Sequence, residues 1–258
     1  MARTAQELYE LWADESELNE ALQRSLEPRG LDSLFEMFAS LDPKPGDLVL
    51  DAGARDAKHA IRLVRDFGVR AIALDPVQQH IELAQAAVTE AGVDVQVVQG
   101  ALEHLPLADD AVDWIWCRDV LVHVDAARGL AECARVLKPG GALLAYVTLA
   151  TERLEPKERA ELAHAGAMKT FDADVLEGAA EAAGLVLRSV DRLGTEWREA
   201  MIEEGSWNPT QDLLEIARLR RGGFTGPQAE AAFTGLVWGI YQMLGKLCPT
   251  VYVWTSSD

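Results

Sequence analysis

The sequence predicts an α/β protein built on a seven-stranded, doubly wound, mostly parallel sheet, with a helical lid at the N-terminus and a helical insertion before the last strand. From residue 43 onward, short apolar runs alternate with helical stretches, the pattern of a parallel sheet covered on both faces. The first of those runs stops at an acid, turns on a glycine and enters a helix, as strands do at the ligand-binding edge of an open sheet. With 258 residues, 49% of them hydrophobic, the chain suits one domain at the upper end of single-domain size.

Residues 5–40 read as one or two amphipathic helices, with Leu8, Leu11, Trp12, Leu18, Leu22 and Leu26 at helical spacing before the Pro28-Arg29-Gly30 break. A second run, Leu31 to Leu41, ends at Pro43, so 1–42 is the expected lid. The core, 43–194, offers strands at 48–51, 70–75, 94–98, 112–117, 142–148 and 185–191, with helices near 56–67, 77–91, 126–137 and 172–183. The segment 195–249 breaks the alternation and reads as two or three helices carrying Trp197, Trp207, Phe224, Phe233, Trp238 and Tyr241. The last strand, 250–255, falls in the closing stretch 250–258.

Composition narrows the partners. A formal charge of −18, from 42 acidic against 24 basic residues, repels a phosphate backbone, so nucleic acid and anionic membrane surfaces are disfavoured and neither is expected as a partner. No run approaches the ~20 apolar residues of a membrane span, and the acidic start lacks a signal-peptide core, which predicts a soluble, cytoplasmic protein. Cys117, Cys133 and Cys248 stand far apart, without metal or disulfide spacing, and are expected to be buried thiols with no metal site. A homodimer stays open.

Four segments carry the chemistry. Leu48-Val-Leu-Asp51-Ala-Gly53-Ala-Arg55-Asp56-Ala57 sets a carboxylate and a glycine at the end of the first strand, although a bare acid-x-Gly also serves as a structural turn. Asp75, 24 positions later, ends the second strand, where an acid either accepts from both ribose hydroxyls or merely closes the strand before Pro76. Gly100-Ala-Leu-Glu-His-Leu-Pro106 leads to Asp109-Asp110-Ala-Val-Asp113, and Arg135-Val-Leu-Lys-Pro-Gly-Gly141 makes the turn before the fifth strand.

In this order and spacing, over about residues 45–150, the segments resemble those of class I S-adenosylmethionine-dependent methyltransferases. The resemblance implies S-adenosylmethionine as the cofactor and S-adenosylhomocysteine as its product. It implies Asp51 and Gly53 around the methionine part, Asp75 and Pro76 at the ribose, Ala101 and Leu102 at the adenine, and Cys117 and Arg118 at the end of the fourth strand. Arg55 and Ala57 stand where the family has glycine, and Ala101 replaces its adenine-binding acid, leaving adenine to the backbone near Leu102 and to packing. A dinucleotide-binding dehydrogenase would instead want G-x-G-x-x-G. This loop holds Asp51, Asp56 and only Gly53, which repels pyrophosphate and suits an ammonium.

Cys117-Arg118-Asp119-Val-Leu-Val-His123 is similar to the S-R-D-x-x-x-H stretch of phosphoethanolamine methyltransferases, whose histidine serves catalysis. That implies His123 as a general base, and histidine titrates near neutrality. Equally, His123 caps or packs the next turn, and Arg118 and Asp119 either orient the ligands or form an ion pair. His59, His80, His104 and His164 read as ordinary surface or loop residues. Asp119 and the aromatics Tyr9, Trp12, Trp197, Trp238 and Tyr241 are the expected acceptor walls, although a helical aromatic stripe also serves as core. The expected activity is methyl transfer to O, N or C of a small or medium-sized, partly apolar metabolite such as a natural product. Arg55, Ala57 and Ala101 keep open an alternative: a non-methylating cyclase or rearrangement enzyme, or a sensor, on the same fold.

Overall fold

A computed structural model describes residues 3–13, 22 and 29–256. Its sheet runs in the order β3-β2-β1-β4-β5-β7-β6, formed by β1 (Leu48–Ala52), β2 (Arg70–Asp75), β3 (Val95–Gln99), β4 (Val112–Arg118), β5 (Leu137–Ala150), β6 (Leu185–Arg192) and β7 (Leu247–Ser256). β1 to β5 pair in parallel, and β7 lies antiparallel between β5 and β6. The described helices are α1 (Ala5–Trp12), α2 (Asp32–Ser40), α3 (Lys58–Phe67), α4 (Gln78–Ala91), α5 (Ala126–Val136), α6 (Pro156–His164), α7 (Ala173–Ala182), α8 (Glu196–Glu203), α9 (Pro209–Gly222) and α10 (Pro227–Met243). None is long and apolar enough to cross a membrane.

The chain winds outward from β1 to β3, then returns to lay β4 against the other side of β1, pairing Asp51 with Trp116 and Ala52 with Cys117. That reversal creates the crevice in which open α/β sheets bind ligands. Both sheet faces are covered. On one, Leu34, Phe35 and Phe38 of α2 and Trp197 of α8 pack on Val49, Trp116, Leu144, Tyr146 and Val251, while α3 and α4 cover β2 and β3 with Ala57, Ala60, Ile61 and Ala84. On the other, Leu130 and Cys133 of α5, Leu176 of α7 and Val237 of α10 meet Leu50, Ile115, Cys117 and Leu143. Each fully buried Leu, Ile or Phe contributes about 1.5–3 kcal/mol of transfer free energy.

Some expectations needed correction. β5 begins at Leu137, not 142, because the Lys138-Pro-Gly-Gly141 stretch runs inside the strand as an irregularity opposite Val112 and Trp114. Gly140 takes a φ of +75°, and a Cβ on Gly141 would sit 2.7 Å from the Asp113 carbonyl oxygen. α6 was not anticipated; its one buried residue, Leu162, leaves no apolar stripe to read. α1 forms behind a Thr4–Glu7 capping box, yet Leu8, Tyr9 and Leu11 stay exposed on it. Leu22 is exposed, whereas Leu18 and Leu26 lie outside the described residues.

Candidate active site

At the end of β1 the Asp51 carboxylate is buried, and its Oδ2 accepts the Ala60 N–H at the start of α3 (3.0 Å). Burial pushes its pKa up to about 7, against the pull of that N–H and of the Arg118 charge. The following loop is fastened to β2: the N–H groups of Gly53 and Ala54 both donate to the Leu74 carbonyl (2.8 and 2.9 Å). Gly53 has a φ of +78°, and a Cβ there would lie 2.3 Å from Val120 Cγ2, so only glycine fits beneath the turn that follows β4.

Arg55 and Ala57, the departures from the glycine pattern, adopt φ of +50° and +59°. They take the left-handed path a glycine would take, at roughly 1–2 kcal/mol each. The Arg55 N–H donates to Asp75 Oδ2 (3.0 Å), and Ala57 is buried among the α3 and α4 alanines. Asp75, buried at the end of β2, also accepts the Val77 N–H at Oδ1 (2.9 Å), where His80 Nδ1 lies at 3.0 Å. A carboxylate offers about four lone-pair positions, so these three contacts leave capacity for a ligand.

Pro76 is exposed, and its carbonyl accepts from Gln99 Nε2 (3.1 Å). Ala101 forms a short bridge with His104, and Leu102 is buried. This loop is held to α5 by Arg135, which donates to the carbonyls of Leu105 (3.1 Å) and Leu107 (2.8 Å), and by Glu103, whose Oε1 accepts the Asp125 N–H (3.1 Å).

The end of β4 splits by pleat. The Cys117 thiol points into the core, and burial followed by the Asp51 charge pushes it up to about 12, so only the Cys117 backbone can face a ligand. The Arg118 side chain, on the opposite face, makes no hydrogen bond or ion pair to any described residue, and its Nε is fully buried. Its guanidinium lies 5.6 Å from the Tyr146 ring centroid and 6.0 Å from that of Trp197. An ion pair between Arg118 and Asp119 is therefore not what holds this turn.

Asp119, at φ +56°, donates its N–H to the Tyr146 carbonyl (2.7 Å) and accepts the Thr148 N–H (3.2 Å), and burial raises its pKa. His123 closes the turn by donating its N–H to the Val120 carbonyl (2.9 Å), and its exposed ring stacks on Trp238 of α10 at 6.0 Å.

The expected acceptor walls divide. Trp197 is 2% exposed and packs against Tyr146 with the rings tilted, centroids 4.9 Å apart, so it is core as well as a neighbour of Arg118. Tyr241 is buried beside Glu158 and beneath Lys246 Nζ (5.5 Å), committed to the α6 side; burial followed by the Glu158 charge pushes it up to about 12. Tyr9 is 65% exposed, and the Trp12 side chain lies outside the described residues.

Two of the histidines read as ordinary surface or loop residues make specific contacts. His80 braces Asp75, and His59 packs between Phe35 (6.1 Å) and Trp116 (5.8 Å), where burial and then Arg118 push it down to about 4. Sequence reasoning also missed a polar group beyond β5. Arg198 Nε donates to Gln242 Oε1 (2.6 Å), and Gln242 Nε2 donates to Thr148 Oγ1 (3.4 Å), near the buried Tyr146. The only signal for it was its neighbour, Trp197.

Comparison with known families matches residues 50–145 to the methyltransferase domain. Methyltransferase GfsG of Streptomyces halstedii is 32% identical over 141 residues, 52% of this chain and 48% of GfsG. The chain spans about half the length of the curated relatives it matches. A candidate sarcosine dimethylglycine methyltransferase from Galdieria sulphuraria has a similar structure, with a TM-score of 0.70 at 22% identity, over 88% of this chain and 85% of that one. The 4+2 cyclase SpnF has a TM-score of 0.68 at 20% identity, over 88% of this chain and 80% of its own.

Proposed function

We propose, from the match of residues 50–145 to the methyltransferase domain and the likeness of the fold to methyltransferase structures, that this protein moves a methyl group from S-adenosylmethionine to an oxygen, nitrogen or carbon of a small or medium-sized metabolite. One arrangement carries the reading: a buried carboxylate, Asp51, and a guanidinium with no hydrogen-bond partner among the described residues, Arg118, flank the Gly53 turn where β1 and β4 lie side by side. An amino acid moiety is a zwitterion that satisfies both, its ammonium at Asp51 and its carboxylate at Arg118.

Asp75 then keeps its remaining lone-pair capacity for the ribose beside Pro76, Ala101 and Leu102 flank the adenine, and Cys117 contributes backbone alone. S-adenosylmethionine, when bound, supplies an electrophilic methyl on a sulfonium leaving group. In-line displacement gains most of its rate from alignment and exclusion of water. His123, its ring plane set by Trp238, takes the proton that the acceptor atom must lose. Asp119, Trp197 and Trp238 border the acceptor, and α1, with Tyr9 and Trp12, is the lid. The chain's acidity argues for a small-molecule partner over nucleic acid; a cytoplasmic location and a homodimer belong to the same proposal.

Calorimetric titration with S-adenosylhomocysteine tests the donor assignment. Binding raises the melting temperature, since a ligand at 100 times its Kd adds ~2.7 kcal/mol; Asp75→Ala weakens it by about 1.5–3 kcal/mol. No heat at millimolar ligand overturns the reading. A second reading, an enzyme on this fold that does not methylate, is favoured by the likeness to SpnF. A product one methyl group heavier, formed with equimolar S-adenosylhomocysteine, decides against it.

A further inference from the structure

The donor's single carboxylate satisfies one guanidinium, and the site has two. Arg198 is half-buried, and both of its described side-chain hydrogen-bond partners are neutral: Gln242 Oε1 (2.6 Å) and the Met201 thioether (3.2 Å). Trp207 covers one face of its guanidinium at 5.1 Å, and the acid nearest that ring, Asp212, is engaged by the Trp207 Nε1–H (2.7 Å). Arg198 forms no ion pair with a described residue, and both burial and the Arg118 charge oppose its positive form. A guanidinium in that position keeps N–H donors in hand and has no carboxylate within ion-pair distance among the described residues, Asp119 and Asp212 acting on it only from farther away.

Its location assigns it to the acceptor side. Gln242 and Trp238 are four residues apart on α10, hence on one face. Trp238 stacks on His123 while Gln242 holds Arg198. Asp119 feels the charge of both His123 and Arg198. The buried Tyr146 lies in the same field.

We propose that the acceptor bears an oxyanion, a carboxylate or a phosphate, and that Arg198 holds it while His123 faces the atom to be methylated. The inference rests on the methyltransferase reading for the word acceptor; the anion site itself stands on Arg198 alone. The bidentate edge of a guanidinium suits both oxyanions. It also explains how a chain of charge −18 draws an anion inward: its overall field opposes the encounter, and a local, desolvated cation overcomes it at short range.

The test uses the full chain, with and without saturating S-adenosylhomocysteine, titrated with inorganic phosphate, with malonate and with chloride at constant ionic strength while the melting temperature is followed. Wild type is expected to show a saturable rise with phosphate or malonate and none with chloride. The responding anion distinguishes a phosphate-bearing from a carboxylate-bearing acceptor. Arg198→Gln should weaken the response about tenfold or more, and Arg198→Lys, which keeps the charge, should retain part of it. Both should bind S-adenosylhomocysteine within about twofold of wild type, since Arg198 does not belong to the donor cradle.

Equal stabilisation by chloride, or an undiminished response in Arg198→Gln, overturns the proposal. If Arg198→Gln does not fold, Arg198→Lys decides by the same comparison, because it moves the charge away from the Gln242 bond. Failure of wild type to bind S-adenosylhomocysteine sinks the methyltransferase reading separately, leaving the donor-free titration to judge the anion site.

Discussion

Replacing Gly53 by alanine tests the tightest approach in the site. The new Cβ would stand 2.3 Å from Val120 Cγ2 and 3.6 Å from Val120 Cβ, and the residue would keep a φ of +78°. The left-handed backbone costs roughly 1–2 kcal/mol for a residue with a Cβ. The overlap, if Val120 must shift, costs about 1–3 kcal/mol more. The sum, about 2–5 kcal/mol, lowers the melting temperature of a chain this size by about 4–20 °C. The two components separate in a double-mutant cycle with Val120→Ala, which removes the clashing methyl and leaves the backbone strain. The pair should then be less destabilised than the sum of its members by about 1–3 kcal/mol. Because the Val120 carbonyl accepts the His123 N–H, Gly53→Ala should also slow turnover beyond its effect on donor binding, and Val120→Ala should restore it. Additive stabilities, or Gly53→Ala melting within about 0.5 kcal/mol of wild type, would refute the packing argument.

Asp51 predicts a pH dependence. Burial moves its folded pKa from 3.8 up to about 7, so the native state retains a proton that the unfolded chain releases, and this contribution to stability is lost as pH rises through about 7. Urea melts between these limits should show Asp51→Asn losing less stability than wild type as pH rises; parallel curves would contradict the assignment. Donor affinity should rise over the same interval and flatten above it, because an ammonium pairs with the ionised carboxylate. His123→Ala should bind donor normally and turn over ~10²–10⁴-fold more slowly in single-turnover experiments, whereas a loss below threefold would leave His123 as the stacking partner of Trp238. Thiol titration of the native protein should modify Cys248 well before Cys117 and Cys133, which are buried and raised in pKa.

The sheet was legible because parallel strands are continuous apolar runs, and those between residues 48 and 192 ended where expected within a few residues, β5 excepted. The candidate donor residues stood out in the sequence because strand, acid and glycine stand within a few positions of one another. His59 was misread because what buries it is Phe35, from a helix 24 positions upstream whose docking on α3 leaves no local trace. Arg198 was invisible for the same reason: the Gln242 that holds it lies 44 residues away, and an arginine on an amphipathic helix reads as solvated surface. Arg55 and Ala57 mark the opposite failure. Their side chains suggested a loop of different shape, while their backbone took the path of glycine.

The slot that β7 fills sets an order of events during synthesis. β5 and β6 both pair with β7, and 54 residues carrying α8, α9 and α10 separate β6 from it. At the usual rate of elongation a ribosome needs roughly 3–10 s to make that stretch. Throughout that interval β5 and β6 each wait with an unpaired edge, the kind of surface that invites wrong partners. When β7 arrives and closes the sheet, the three helices that carry Arg198 and Trp238 have already been made. No state of the growing chain therefore has a finished sheet without those helices already synthesised.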